Sequence, residues 1–399
     1  MYERWVRGAI GQDSDLWVTL AGCRKVLVMV PTVTAGTRLT DVLTLLRGDR
    51  RIQTLYTVPE TFETWHGAAE FTAATGGLVV PWHQAVNQNF DLVLAATMTG
   101  LDQVRGQVML LPHGAGSLMS RKYSPWAGRS ARPHTGLARE TLTKRGKLLL
   151  SALALTHDDE LRVLRRTCPE ALPVAVVAGD ICYDRMVVSM SRYPEYREAL
   201  GVAADQTLVT ISSTWSTDSI FGRQPDLCRD VVREVADSGH RAALVLHPHV
   251  WAAHGKWQIH SWLAECLDNG LLLIPPQEGW QAAIVASDYV VGDFGSTTQY
   301  AAAIGKPVTL ATFPDHKIRS GSLAHRLAKL APRLDVRQRL LPQLRQANPH
   351  AEQVACWMSS RQGRSASILR HTMYQLLQLT EPKQPAALPP VPSPCPVPS

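Results

Sequence analysis

The pattern of apolar and polar positions divides the chain into two successive series of short strands and helices. The first series begins with the apolar run 25–31, and further short strands are predicted at 51–57, 77–80, 91–95, 107–111, 148–155 and 173–178. A helix is predicted at 37–47, and polar or amphipathic stretches separate most of the other strands. A continuous apolar run that ends at a turn is typical of a strand buried in a parallel sheet. The repeated units therefore predict a parallel sheet with helices on both faces.

A second series follows a change of pattern at 185–206, where the chain becomes polar and contains two tyrosines. Strands are predicted at 207–212, 242–247, 271–275, 288–293 and 307–311, and helices at 227–238, 261–269, 280–286 and 297–304. The fold class is therefore α/β, with two Rossmann-like domains in tandem. Such domains face a central cleft to which the carboxyl ends of both sheets contribute.

The domain boundaries follow from these shifts of pattern. We predict an N-terminal Rossmann-like domain at 1–186 and a C-terminal one at 187–345. A helical segment is predicted at 346–380, with a break near Gly363. The last residues, 381–399, are rich in proline and can form neither a helix nor a central strand, so we predict an extended, disordered tail.

Composition narrows the class of protein. The 399 residues are 45% hydrophobic, and no stretch of about 18 apolar residues predicts a transmembrane helix. The seven cysteines form no CxxC pair, which argues against a zinc ribbon or a thioredoxin-like site. The net charge of +7 is modest, and the basic residues are not interleaved with aromatic ones, which disfavours nucleic acid as a partner. We expect a cytoplasmic protein without a cofactor.

The clearest local feature lies at 287–298. A predicted strand runs into Gly292 and Asp293, and a helix is predicted to start at Ser296, Thr297 and Thr298, directly after Gly295. Glycine permits close approach of the backbone to a ligand, and the N-terminus of a helix attracts phosphate. The pattern predicts a phosphate-binding turn, although an ordinary serine or threonine N-cap explains it as well.

Two histidines follow predicted strands, one in each domain. His247 precedes Pro248, which cannot continue a central strand, and His113 precedes a glycine-rich turn that starts at Gly114. An imidazole at a strand end can donate to a phosphate or exchange a proton near neutral pH. The spacing of the histidines around 247–260 matches no standard zinc pattern, so no metal site is predicted. His66, which precedes a predicted helix, is interpreted as structural.

In this order, these motifs resemble those of the CDP-glycerol glycerophosphotransferase family, whose members have a GT-B fold and synthesise polymers of the teichoic-acid type. The resemblance covers roughly residues 100–315. The segments that carry it are Pro112-His113-Gly114, 179–184, 210–215, Leu246-His247-Pro248, 287–296 and Gly305-Lys306-Pro307-Val308.

The resemblance implies a GT-B transferase that moves glycerol phosphate, or a similar alcohol phosphate, from a CDP-linked donor to a hydroxyl acceptor. His113 and His247 match the catalytic positions. The donor phosphate or nucleotide is assigned to Thr214, Asp293, Gly295, Ser296, Thr297 and Thr298, and the acceptor or cleft to Gly114, Asp184 and Arg185. The family's acceptors are usually lipid-linked, which leaves open peripheral contact with the inner face of the plasma membrane.

Three departures from the family pattern stand out. Ile181-Cys182-Tyr183 replaces its Pro-Arg, with Arg185 as a substitute cation; Gly295 replaces a serine; and the basic residues after the His-Gly segment come late, at Arg121-Lys122. Two alternatives therefore stay open. One is a GT-B glycosyltransferase or epimerase that uses a UDP- or GDP-sugar. The other is an inactive nucleotide-binding scaffold whose tail recruits an SH3-like partner.

Overall fold

The structure is a computed structural model that describes residues 5–10, 14–16, 18–116 and 136–397. These residues form two compact units. The first comprises the described residues up to 116, together with 136–181 and 360–388. The second comprises residues 182–359 and 389–397. No helix in the described ranges is both long and apolar enough to cross a bilayer.

A parallel sheet forms the centre of the first unit. In the described residues it has seven strands in the order β3-β2-β1-β4-β5-β8-β9, and β6 and β7 form a separate two-stranded antiparallel ribbon. The strands are β1 (Arg24–Met29), β2 (Ile52–Thr57), β3 (Leu78–Val79), β4 (Asn89–Ala95), β5 (Arg105–Leu110), β6 (Thr143–Lys144), β7 (Lys147–Leu148), β8 (Ala152–Leu155) and β9 (Ala175–Val177). The strand order reverses direction between β1 and β4, as in a Rossmann fold.

Helices cover this sheet and close its core. They are α1 (Val33–Leu43), α2 (Ala68–Ala74), α3 (Trp82–Ala85), α4 (Arg139–Leu142), α5 (Asp158–Thr167) and, near the end of the chain, α17 (Ser365–Leu376). The core joins Val26 and Val28 of β1 and Leu39 of α1 to Leu369 and Met373 of α17, all 1% exposed or less. The chain therefore returns to its first unit at residue 360 and enters the second again at residue 389.

The second unit is built around a smaller parallel sheet. Its described strands follow the order β12-β11-β10-β13-β14. They are β10 (Leu208–Ser213), β11 (Arg241–Leu246), β12 (Leu272–Ile274), β13 (Tyr289–Gly292) and β14 (Val308–Leu310). The helices are α6 (Ile181–Ser189), α7 (Tyr193–Ala199), α8 (Ile220–Arg223), α9 (Leu227–Asp237), α10 (Pro248–Trp262), α11 (Ala264–Asp268), α12 (Trp280–Ala286), α13 (Ser296–Ala303), α14 (Leu323–Leu327), α15 (Leu340–Leu344) and α16 (Ala351–Met358).

Most predicted strands are found within a few residues of their expected positions, and the predicted α/β class is confirmed. Two helices differ. Helix α1 starts at Val33 instead of 37, because the Thr32 side chain caps it by accepting a hydrogen bond from the Ala35 N–H. Helix α11 lies within the helix predicted at 261–269, whereas α10, which bends at Gly255 with a φ of 77°, was not predicted. The bend interrupts the apolar period that would have indicated a helix.

The polar segment predicted as a connection, 185–206, is largely helical and belongs to the second unit. Tyr196 of α7 is fully buried, and Arg197 is 6% exposed. The Arg197 guanidinium donates to Asp288 Oδ2 at 2.9 Å and to the carbonyls of Ala203 and Gln206 at 3.0 and 2.5 Å. These bonds satisfy a charge that would otherwise be costly to bury, and they explain how a polar sequence forms a packed helix.

The C-terminal segments also differ from their predicted grouping. The segment 346–380 breaks near Gly363 as predicted, but α16 packs on α13 in the second unit, whereas α17 lies in the core of the first. The described tail residues have no helix or strand, yet they are held against the protein rather than free. The Val391 N–H donates to Ser189 Oγ at 3.0 Å and the Val391 carbonyl accepts from the Tyr196 hydroxyl at 2.7 Å. Val391 is 1% exposed, so its apolar burial and these hydrogen bonds oppose disorder.

Candidate active site

The site residues predicted for the donor lie at one edge of the sheet in the second unit. Thr214 follows β10, His247 follows β11, and the segment from Asp293 to Gly295 follows β13. In a parallel sheet the carboxyl ends of all strands meet at the same edge, which is where open α/β sheets bind ligands. Gly305-Lys306, also part of the family resemblance, precedes β14 and so lies at the opposite edge.

Helix α13 begins at this edge. Ser296 and Thr297 are its first two residues, and both side chains are half-buried. The first N–H groups of a helix have no partner within the helix and carry a partial positive charge. With two hydroxyls beside them, they form the arrangement that binds phosphate in many α/β proteins.

Thr298 has a different role from the one predicted. Its side chain is fully buried, and its Oγ1 would lie only 2.4 Å from a Cβ placed on Gly292. The threonine therefore packs α13 against the end of β13 instead of facing a ligand. Gly292 is required here because a side chain at that position would push the helix away from the sheet.

Asp293 also acts differently from its predicted contact with the donor. It is 1% exposed, and its Oδ2 accepts from the N–H groups of Thr214 and Ile220 at 2.8 and 3.2 Å. Its Oδ1 accepts from the Gly295 N–H at 2.9 Å. A buried carboxylate with three backbone donors joins the loop after β10 to the start of α13 and leaves little room for a phosphate contact. Asp293 is therefore a positioning residue.

Burial raises the pKa of Asp293 to about 6, although the three backbone hydrogen bonds oppose the shift. The folded protein then holds this proton more tightly than the unfolded chain. The contribution to stability is present below about pH 4 and is lost as the pH rises through about 6, by up to about 3 kcal/mol. We measure the free energy of unfolding by urea titration at pH 4 to 7.5. In the variant Asp293→Asn we expect it no longer to fall by this amount as the pH rises. Asp205→Asn, at an exposed position, is the control, and an unchanged pH dependence in Asp293→Asn would contradict the assignment.

Gly295 is required for a steric reason that the sequence pattern did not indicate. Its φ of −70° is accessible to every residue. A Cβ at this position, however, would lie 2.9 Å from the Thr214 Cβ and 3.1 Å from Asp293 Oδ1. The loops after β10 and β13 thus interlock, and the Thr214 side chain lies where the family's serine would need room.

We expect Gly295→Ser, which restores the family residue, to lower the free energy of unfolding by about 1–3 kcal/mol because it overpacks this contact. The loss should be smaller when Thr214→Gly makes room for the new Cβ. A double-mutant cycle by denaturant titration measures this coupling. Additive losses would mean that the two loops do not compete for the same space.

His247 is the N-cap of α10. Its ring Nδ1 accepts a hydrogen bond from the backbone N–H of His249 at 3.1 Å, and the backbone N–H of His247 donates to the Ser213 carbonyl at 3.0 Å. Because Nδ1 is the acceptor, the neutral ring carries its proton on Nε2. The ring therefore offers an N–H donor at the sheet edge, which suits a phosphate oxygen.

His113 has the opposite tautomer. It lies beyond the end of β5 in the first unit, and its Nδ1 is 3.0 Å from the Ala96 carbonyl oxygen. A carbonyl can only accept, so Nδ1 carries the proton and Nε2 is the basic nitrogen. In the following turn the Gly116 N–H donates to the Gly114 carbonyl at 2.8 Å. Gly116 has a φ of 78° and fits beside Glu160 and Thr156, which explains the glycine-rich sequence.

Asp184 and Arg185, predicted at the cleft, are both buried in α6, at 4% and 7% exposed. Arg185 Nε donates to the Pro389 carbonyl at 3.0 Å, and a second nitrogen lies 3.4 Å from the Pro390 carbonyl oxygen. Arg185 therefore anchors the tail rather than replacing the family's cation. Arg121-Lys122 lie outside the described residues.

The structure thus brings Thr214, His247, Ser296 and Thr297 to one edge, with Asp293 and Gly295 beneath them. Sequence reasoning missed Trp215, which lies next to this group. Its ring centre is 4.6 Å from that of His249 and 6.4 Å from that of His247. The tryptophan directly after a strand-end threonine was the available indication. No group of three or more metal-ligating side chains occurs in the part of the chain that the structure describes.

Comparison with known proteins gives a result for the fold. No family model and no curated protein matches the sequence. Among solved structures, the wall teichoic acid polymerase TagF matches with a TM-score of 0.58 and 12% identity, over 90% of each chain. A TagF variant soaked with CDPG matches with a TM-score of 0.57 and 10% identity, over 89% of this chain and 88% of that one.

The UDP-GlcNAc 2-epimerase from Methanocaldococcus jannaschii also matches, with a TM-score of 0.50 and 10% identity, over 88% of this chain and 99% of the epimerase. At such identities the likeness establishes the fold. The predicted GT-B class is therefore confirmed, and TagF, the kind of protein that the sequence motifs resemble, is among the solved structures that share it. These neighbours are nucleotide-using enzymes, and the fold that they share with this chain does not by itself identify its reaction.

Proposed function

We propose that the protein is a transferase that moves glycerol phosphate, or a similar alcohol phosphate, from a CDP-linked donor to a hydroxyl acceptor. The observation that carries the proposal is the pair of opposite tautomers at the two strand-end histidines. The Nδ1 of His247 accepts a hydrogen bond from a backbone N–H, whereas the Nδ1 of His113 donates one to a backbone carbonyl. One ring is therefore an Nε2–H donor and the other an Nε2 base, and a transfer reaction uses both.

The donor half of the reaction belongs to the second unit. The diphosphate binds at the N-terminus of α13, with Ser296 and Thr297 hydroxyls and backbone N–H groups as donors. Asp293 keeps this helix start in register with the loop at Thr214. The Nε2–H of His247 then stabilises negative charge that develops as CMP leaves.

The acceptor half is assigned to His113. The acceptor oxygen forms a bond to the phosphorus of the glycerol phosphate, and the bond from that phosphorus to the CMP oxygen breaks. The acceptor proton passes to His113 Nε2, and CMP leaves with the electron pair of the broken bond. Positioning and electrostatics supply most of the catalysis in such transfers. A lipid-linked acceptor at the inner face of the plasma membrane is part of this proposal.

The proposal is tested by assaying the purified protein for CMP release from CDP-glycerol. Release that depends on an added hydroxyl acceptor supports it. Binding of CDP without any release would favour the scaffold, and would overturn the transferase.

The nucleotide separates the proposal from its nearest rival, an enzyme that uses a UDP- or GDP-sugar. The comparison with the epimerase shows only a shared fold, so the base has to be measured. We expect CDP to raise the melting temperature more than UDP or GDP at equal concentration, because a ligand that binds only the folded state stabilises it by an amount that grows with the logarithm of its affinity. A larger shift with UDP or GDP would favour the rival.

A further inference from the structure

A small cavity lies at the amino edge of the sheet in the second unit, opposite the edge that holds the candidate active site. Its volume is about 230 Å³, below the range of about 300–1,000 Å³ that drug-sized ligands need, so its ligand would be a small molecule. The ends of α9 and α11 and the start of β11 surround it. The side chains that line it include those of Gln206, Val232, His240, Arg241, Ala242 and Asn269.

The length of the strands separates this cavity from the candidate active site. Arg241 is the first residue of β11 and lies beside Leu208, the first residue of β10. His247, in the candidate active site, follows the other end of β11. A strand of six residues spans roughly 20 Å. A small ligand in the cavity therefore does not contact the groups that we assign to the donor.

Arg241 brings a positive charge to the cavity. Its Nε is buried and has no hydrogen-bond partner, and its guanidinium forms no hydrogen bond or ion pair within the part of the chain that the structure describes. A Cβ placed on Gly270 would lie 3.6 Å from Arg241 Nη1, so the guanidinium extends along the turn after α11. A buried polar group without a hydrogen bond is costly, and more so when it is charged. An anion in the cavity would remove that cost.

His240 supplies a second donor to the cavity. Its ring Nδ1 accepts a hydrogen bond from the backbone N–H of Thr207 at 3.2 Å, so the neutral ring carries its proton on Nε2. Its backbone N–H donates to the Val235 carbonyl at 3.0 Å. These two bonds hold the residue at the wall of the cavity, and the Nε2–H remains as a donor to a ligand.

The helix ends beside the cavity have carbonyls that are already bonded. Carbonyls at the C-terminus of a helix carry partial negative charge, which disfavours an anion. Here Gly239 and Gly270 each donate a backbone N–H to the carbonyl three residues earlier, both at 2.9 Å. Asp237 and Asp268, the last residues of the two helices, are not among the residues that line the cavity, and no other described carboxylate lines it. The lining thus offers donors to an anion without an opposing full negative charge.

We propose that the cavity binds the phosphate group of a small molecule, either a phosphomonoester or phosphate itself, with Arg241 and His240 as donors. The fork of N–H groups on a guanidinium matches two phosphate oxygens, and such charge-assisted bonds are about twice as strong as neutral ones. Val232 and Ala242, which are 2% and 4% exposed, form an apolar wall beside which these bonds are less screened by water. The site is separate from the donor site, so the inference does not rest on the proposed function.

The test is isothermal titration calorimetry of the purified protein with inorganic phosphate and, separately, with methyl phosphate at low ionic strength. We expect Arg241→Gln to weaken binding by about tenfold or more, as for the loss of hydrogen bonds to a charged group. Arg229→Gln is the matched control, because it removes the same charge from an arginine of α9 that lies outside the cavity and pairs with Asp226 at 3.1 Å. It should bind phosphate as the unaltered protein does. Binding of both probes would identify a phosphomonoester site, and binding of phosphate alone a site for the free anion.

The start of α13 also attracts phosphate, so a variant of that site completes the test. Ser296→Ala removes one of the hydroxyls that we assign to the donor. Weaker phosphate binding in Ser296→Ala but not in Arg241→Gln would place the phosphate at α13 and overturn the proposal. Equal affinities of Arg241→Gln and Arg229→Gln, or no binding by the unaltered protein, would overturn it as well.

Melting temperatures separate a loss of binding from a loss of folding. Because the Arg241 guanidinium has no partner among the described residues, we expect Arg241→Gln to melt at the temperature of the unaltered protein when phosphate is absent. Added phosphate should raise the melting temperature of the unaltered protein more than that of Arg241→Gln. Equal shifts with phosphate would contradict the proposal, and so would a loss of the shift with CDP in Arg241→Gln.

Discussion

Replacing His113 by alanine or asparagine is expected to lower the rate of CMP release from CDP-glycerol by about 10²- to 10⁴-fold, the range for loss of a general base. The asparagine variant is the sharper of the two. Its amide N–H₂ can still donate to the Ala96 carbonyl, which His113 Nδ1 now contacts at 3.0 Å. It has no basic nitrogen in the place of Nε2, so the local structure is kept and the proton acceptor is removed.

His66→Ala is the control for this experiment, because His66 is exposed in the same unit and is interpreted as structural. The measurement is the initial rate of CMP release at saturating donor, with the melting temperature recorded for each variant. Full activity of His113→Asn would show that another group takes the proton. A rate that falls only in step with the melting temperature would assign His113 a structural role.

Replacing His247 is expected to lower the same rate by about 10²- to 10³-fold, as for the loss of one donor to a developing oxyanion. Because His247 is also the N-cap of α10, alanine should in addition cost about 0.5–2 kcal/mol of stability. Asparagine is a good N-cap, so it can accept from the His249 N–H in place of Nδ1. It lacks the distal Nε2–H.

The two variants of His247 therefore separate catalysis from folding. We expect both to lose activity, and only His247→Ala to unfold at a clearly lower urea concentration. If His247→Asn keeps the rate of the unaltered protein, the capping bond is the whole contribution of this histidine. If both His113 and His247 variants turn over the donor normally, the assignment of the reaction to these rings is wrong.

The fold could be predicted to a large extent because its elements are short and strongly patterned. Apolar runs such as 25–31 and 288–293 ended at turns, which fixed strand positions to within a few residues. Segments whose polar side chains are buried with hydrogen-bond partners elsewhere in the fold could not be predicted. The polar helix α7 depends on the Arg197 guanidinium, which donates to the carbonyls of Ala203 and Gln206 and to Asp288, 91 residues further along the chain.

The candidate site was predicted in part. Parallel strands deliver their following residues to one edge, so His247, Thr214 and the start of α13 could be grouped from sequence. Which side chains face outward could not. Thr298 packs on Gly292, and Arg185 is bound to the tail carbonyls of Pro389 and Pro390.

The sequence by itself determined that the chain forms two successive Rossmann-like series, each with a histidine directly after a strand, because hydrophobic period and turn residues are local properties. Only the tertiary structure decided what those histidines can do. The tautomer of His113 depends on Ala96, seventeen residues away, and the role of Asp293 depends on Thr214 after β10 and Ile220 at the start of α8. Hydrogen-bond partners that are distant in sequence leave no local pattern of residues, so only the assembled sheets and loops identify them.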